Sequence, residues 1–162
     1  MNTGQSMLAI FAMILLSTLV LRVNNNLLTT NEVMYESKFG VLATSLATSI
    51  IEEASKRAFD EVTSGNPITD STLLTLPDSL LAEDEVYPDF DDFDDFNNYT
   101  RTVTNLPSAN FFISCSVNYV SPPNLESVSL SQTWHKKITV TVSSPSSKDT
   151  IRLSSIYSYW FF

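Results

Sequence analysis

From Met1 to Leu21 the chain carries no charged side chain, and from Met7 onward the run MLAIFAMILLSTLVL is interrupted only by Ser17 and Thr18. A helix built from these residues is apolar on every side, whereas a helix on the surface of a core shows polar positions at helical spacing. A secretory signal peptide would carry a basic n-region and end in a small-x-small cleavage pattern. Here no Lys or Arg precedes Arg22, and the run closes on Leu19-Val20-Leu21. As a transmembrane helix, the run would measure roughly 25 Å at about 1.5 Å per residue, against a hydrocarbon core of roughly 30 Å. A membrane segment is the reading these residues favour.

The chain has 162 residues, enough for one compact domain beside such an anchor and too few for a second core. Nine Lys+Arg stand against eighteen Asp+Glu, a net charge of -9, so a nucleic-acid partner is not expected, because phosphate contacts need a basic surface. Cys115 is the single cysteine, which excludes an internal disulfide and a thiolate zinc cluster.

After the anchor, Leu28 to Val62 reads as an amphipathic helix. Thr29 and Glu32 have capping-box spacing, and Leu28 and Val33 are placed for a hydrophobic staple. Tyr35, Phe39, Leu42, Leu46, Ile50, Ala54, Ala58 and Val62 form one apolar stripe, with Gly65 and Pro67 set to end it. Asn24-Asn25-Asn26 between anchor and helix predicts a bend, or a helix that runs through. Asn66-Pro67, Leu76-Pro77-Asp78 and Tyr87-Pro88-Asp89 are turn signals, and the middle reads mostly as loop.

The last third alternates at period two. Phe111, Ile113, Cys115, Val117 and Tyr119 share one side of a first strand, which Pro122-Pro123 ends. Trp134, Lys136, Ile138, Val140 and Val142 share one side of a second, with His135 on the solvent side. A third strand covers about Thr150 to Trp160, its alternation slipping near Ser154-Ser155, and Tyr99 to Thr104 adds an edge strand. The expected fold class is α+β: a long N-terminal helix whose amphipathic half packs on a C-terminal antiparallel sheet of three to four strands.

Gly4-Gln5-Ser6 directly before the apolar run resembles the cleavage site of a prepilin leader, and with this architecture the chain resembles the type IV pilin and pseudopilin family. Asp91-Asp92-Phe93-Asp94-Asp95-Phe96-Asn97 is similar to a stretch in mannose-sensitive-haemagglutinin-type minor prepilins. The resemblance implies a leader over residues 1–4, cut between Gly4 and Gln5 by a prepilin peptidase, with methylation of the new amino terminus. It implies a membrane and filament-core segment over residues 5–27. The extracytoplasmic domain is residues 28–162, divided into helix (28–64), acidic loop region (65–98) and sheet (99–162). Partners would be other pilin or pseudopilin subunits, and the precursor would sit in the inner membrane before moving to a periplasmic or cell-surface filament. The family usually has a glutamate as the fifth mature residue, used in subunit docking. Ala9 holds that position here, which implies a minor rather than a major subunit. The family also usually has a basic residue in the leader, and Met1-Asn2-Thr3 has none. The competing reading is a single-pass membrane-anchored extracytoplasmic binding domain that does not polymerise.

An enzyme is not expected. Cys115 falls on the apolar side of a strand with no histidine motif beside it, and Gly4, Gly40 and Gly65 are too far apart to form a phosphate-binding loop. Asn98-Tyr99-Thr100 matches a glycosylation sequon and is read as chance. The acidic segment is the remaining candidate. Asp89, Asp91, Asp92, Asp94 and Asp95 fall between Phe90, Phe93, Phe96 and Tyr99, with Glu83, Asp84 and Glu85 just upstream and no Lys or Arg among them. Their repulsion must be relieved by water or by a cation. One reading is a solvated acidic loop pinned by its aromatics. The other is calcium held by those five aspartates, a hard cation suited to carboxylates in a flexible loop, as disulfide-free type II pseudopilins use; no other cofactor is implied.

Overall fold

The structure, a computed structural model, describes residues 3–81 and 85–160. Helix α1 spans Thr3–Ala54, 52 residues. It runs through Asn24–Asn26 without a break, and the expected helix start at Thr29 is not used. The Thr29 hydroxyl donates to the Asn25 carbonyl (3.0 Å) and the Thr30 hydroxyl to that of Asn26 (2.8 Å). A threonine within a continuing helix bonds backward along it instead of capping. By packing, the chain divides into residues 1–38 and residues 39–162.

Within the second unit, α1 buries Phe39, Ala43, Ala47, Ile50 and Ala54. This stripe is displaced from the expected one: Leu42 and Leu46 flank it, half-buried, and Tyr35 is exposed. Its centre is alanine, whose short side chain lets the helix backbone lie close to its neighbours while Phe93, Phe96, Phe111 and Ile113 fill the space around it. α1 thus contributes surface for large side chains to pack on.

That cover lies over an antiparallel sheet of β1 (Thr100–Val103), β2 (Phe111–Ser121), β3 (Asn124–Val128), β4 (His135–Ser143) and β5 (Ile151–Ser158). The order is β1-β2-β4-β5, with β3 paired to the end of β2, making five strands among the described residues where three to four were expected. Pro122-Pro123 does end β2, but the chain turns back at once to form β3. β4 buries Lys136, Ile138, Val140 and Val142, as its period-two pattern requires. β5 keeps its alternation through Ser154-Ser155, because Ser155 lies inward between Leu153 and Tyr157, opposite Ile138. His135 is half-buried, with Nδ1 2.7 Å from the Ser158 hydroxyl, rather than free on the solvent side.

The segment from Ser55 to Tyr99 departs most from expectation. α1 ends at Ala54, not near Val62, because the backbone leaves the helix to pair with the acidic segment. Ala58 N–H donates to the Asp91 carbonyl (3.2 Å), forming a parallel bridge between Ala58 and Asp92. Phe59 and Asp60 are then carried into the interior, and Asp60 caps a 3-10 turn over Glu61–Thr63. The stretch read as loop supplies much of the core. Ile68, Leu74 and Leu80 pack with Phe59 and Tyr119, while Phe90, Phe93 and Phe96 join the cluster under α1.

Candidate functional site

The residues singled out by the sequence fall in two places. Gly4, Gln5 and Ala9 lie on α1 in the first unit, all exposed. Met7, Leu8, Phe11, Leu15 and Leu16 are each more than half exposed, as are most of the apolar residues down to Leu28. Among the described residues nothing covers them: the most apolar window of α1 is 0% buried. α1 is long and apolar enough to cross a membrane. A continuous apolar surface of this size suits contact with lipid or with another protein. Met1 and Asn2, the start of the expected leader, lie outside the described residues.

The acidic segment is positioned by its aromatics. Spaced at multiples of three, Phe90, Phe96 and Tyr99 gather edge to face, with ring centroids 5.1 Å (Phe90–Phe96) and 5.5 Å (Phe90–Tyr99) apart, and Tyr87 closes the group at 5.1 Å from Tyr99. Drawing these rings inward takes the intervening acids with them. Asp89 and Asp91 remain exposed, but Asp92, Asp94 and Asp95 are buried. The solvated-loop reading fails for these three.

Each buried carboxylate has partners inside the chain. Asp92 Oδ1 accepts from the N–H groups of Asp94 (2.8 Å) and Asp95 (3.2 Å), and Asp95 Oδ2 accepts from those of Asp91 and Asp92 (both 3.0 Å). Asp94 meets the cation its neighbours lack, because its Oδ1 pairs with Lys136 Nζ. Burial, followed by the charges of Asp94 and Asp95, pushes Asp92 up to about 8. Burial likewise raises Asp94, against the pull of Lys136. Among the described residues, the one group of three acids that brings carboxylate oxygens within 4.8 Å of one another is Glu85, Asp91 and Asp95, at the edge of the segment. Burial, Asp95 and Asp91, in that order, raise Glu85. The five aspartates therefore do not converge as one ligand set, and Glu83 and Asp84 lie outside the described residues.

Lys136 was not singled out from sequence, although its inward register on β4 was legible. It is 0% exposed and donates to Phe59 O (2.8 Å), Asp60 Oδ2 (2.8 Å) and Asp94 Oδ1. Phe59 and Tyr119 place ring centroids 4.7 and 5.3 Å from the ammonium. Asp60 also accepts from Thr75 N–H (3.0 Å), Thr75 Oγ1 (3.1 Å) and Val62 N–H (3.3 Å), with the Tyr119 hydroxyl 3.2 Å away. A buried charge is tolerated when paired and hydrogen-bonded in this way. The triad joins the chain after α1, the acidic segment and the middle of the sheet at one point. Cys115, by contrast, is a buried thiol whose ionisation burial pushes up to about 12, the setting of an inert cysteine. Compared with protein-family models, with curated proteins and with solved structures, the chain finds no match.

Proposed function

We propose that this chain is a structural subunit of a filament, a minor pilin or pseudopilin of a type IV pilus or type II secretion-like assembly. A prepilin peptidase cuts between Gly4 and Gln5, the new amino terminus is methylated, and the apolar part of α1 is kept. That part anchors the precursor in the inner membrane and later packs against the same segment of other subunits in a filament on the periplasmic or cell-surface side. One observation carries the reading: a single helix, Thr3–Ala54, whose early residues are apolar and uncovered, and whose last turns are the core of a domain closed by an antiparallel sheet. A signal peptide has no use for the second property, and a soluble domain has none for the first.

A second reading is favoured by Ala9, which offers no carboxylate for docking to a neighbour's amino terminus. On that reading the chain is a single-pass anchored binding domain. The mass of the mature protein separates the two. Coexpression with a prepilin peptidase should remove Met1 to Gly4 and leave a chain beginning at Gln5. A mass that retains Met1 favours the plain anchor, and loss of the entire apolar run refutes both.

A further inference from the structure

The buried triad holds the reactants of a condensation. Lys136 Nζ and the Asp94 carboxyl are in contact inside the core, and a second carboxylate, Asp60, reaches the same nitrogen at 2.8 Å. We propose that Lys136 and Asp94 condense within the folded domain into an intramolecular amide, with Asp60 relaying the proton.

The two acids differ in what holds them. Asp60 accepts from Val62 N–H, Thr75 N–H and Thr75 Oγ1 besides Lys136, contacts that fix its carboxylate in place beside the nitrogen. Asp94 has Lys136 and the Asp92 side chain on its carboxyl, and burial favours its neutral form. Asp94 is therefore the electrophile. Phe59 and Tyr119 wall the nitrogen with aromatic carbon, where an ion pair loses the solvation that would hold it apart from the neutral amine and acid.

The step balances without any co-reactant. The Lys136 ammonium gives one proton to the Asp94 carboxylate. The freed lone pair attacks Cγ, forming the Nζ–Cγ bond. Asp60 takes a second proton from nitrogen and passes it to the departing hydroxyl, so one Cγ–O bond breaks and one water leaves. Nothing is oxidised or reduced. One buried positive and one buried negative charge disappear, and the N–H that remains stays within reach of Asp60. Positioning supplies the acceleration, since reactants held in contact react as one molecule. In a chain whose single cysteine rules out an internal disulfide, the amide would tie the acidic segment covalently to the middle of the sheet.

The test is the intact mass of the full-length chain, extracted in detergent and then fully denatured. The expected mass is one water below that of the sequence after any amino-terminal processing. Protease digestion should give a branched peptide joining the Lys136 segment to the Asp94 segment. Lys136→Arg, which keeps the charge, should show the full mass, as should Asp60→Asn. A wild-type chain at full mass overturns the proposal, as does a water loss that maps to a linear peptide or a branch at Asp60. Should either variant fail to fold, the wild-type digest still decides the matter.

Discussion

The two parts of α1 are built from similar amino acids and put them to opposite uses. Ala12 and Ala47 are both helical alanines among leucines and isoleucines, yet Ala12 is exposed and Ala47 is 0% exposed beneath the sheet. In the apolar run from Met7 to Leu21 the side chains surround the helix and have no cover among the described residues. In residues 39–54 all but Val41 gather on one stripe with alanine at its centre, and polar residues such as Thr44, Ser45, Thr48 and Ser49 occupy the exposed side. Hydrophobicity alone therefore does not say what a helix packs on. Its distribution around the axis does: an apolar cylinder suits lipid or a bundle of like helices, and a stripe suits one layer of a domain.

The largest effect should come from the buried charges that close the domain half. Lys136→Met removes the side chain that Asp60 and Asp94 both contact in the core and should cost about 3–5 kcal/mol, read from denaturant unfolding of the detergent-solubilised chain. A loss below about 1 kcal/mol would mean that the triad does not hold the domain together. Next comes the same substitution made twice. Ala47→Leu forces a larger side chain between helix and sheet and should cost about 1–3 kcal/mol, whereas Ala12→Leu should stay within about 0.5 kcal/mol. Equal effects at both positions would erase the distinction between the two parts of the helix.

A smaller effect follows from pH. Asp92 is raised from 3.8 to about 8 in the folded chain by burial and by Asp94 and Asp95, with Lys136 on β4 opposing. Between these values the folded state holds a proton that the unfolded state has released. Stability should therefore fall as pH rises from about 4 to about 8, by at most about 1.4 kcal/mol per pH unit, and level off above. Asp92→Asn should flatten that slope, and an unchanged slope would move its origin elsewhere. The smallest effect concerns calcium. Of the aspartates proposed as ligands, Asp92 and Asp94 are occupied inside the chain, and the carboxylates that lie within reach of one another are Glu85, Asp91 and the buried Asp95. Millimolar calcium should then add about 0.4 kcal/mol for a dissociation constant equal to its concentration, and nothing in Asp91→Asn. An identical midpoint in calcium and in chelator would remove the metal from the segment.

What could be read in the sequence was what depends on neighbours close along the chain. β2 and β4 announce themselves by period two, β5 by an alternation that slips at Ser154-Ser155, and the apolar run by its unbroken composition. β3 was missed because Asn124–Val128 is short and has no buried residue to alternate against. The helix end was misplaced because Ala58 and Val62 continue the stripe arithmetically, although Ala58 is needed as a backbone partner for Asp92. Thr29 and Glu32 match a capping box that a continuing helix leaves unused. The buried triad depends on residues distant in sequence, since Lys136 and Asp60 are 76 positions apart and Lys136 and Asp94 are 42. Its single local sign was a lysine on the inward side of β4. Gly4, Gln5 and Ala9 were legible only by resemblance, for their surroundings on α1 carry no geometric mark.

The most direct test asks where each part of α1 resides. The native Cys115 is buried and holds its proton, so a thiol placed on α1 reports alone. Leu15→Cys and Ser45→Cys both occupy exposed positions of the isolated chain. In intact membrane vesicles with the domain facing outward, a membrane-impermeant maleimide should label the Ser45→Cys chain readily and leave Leu15→Cys unlabelled until detergent is added. Equal labelling of both positions before detergent would contradict the division of α1 into a lipid-covered part and a domain part.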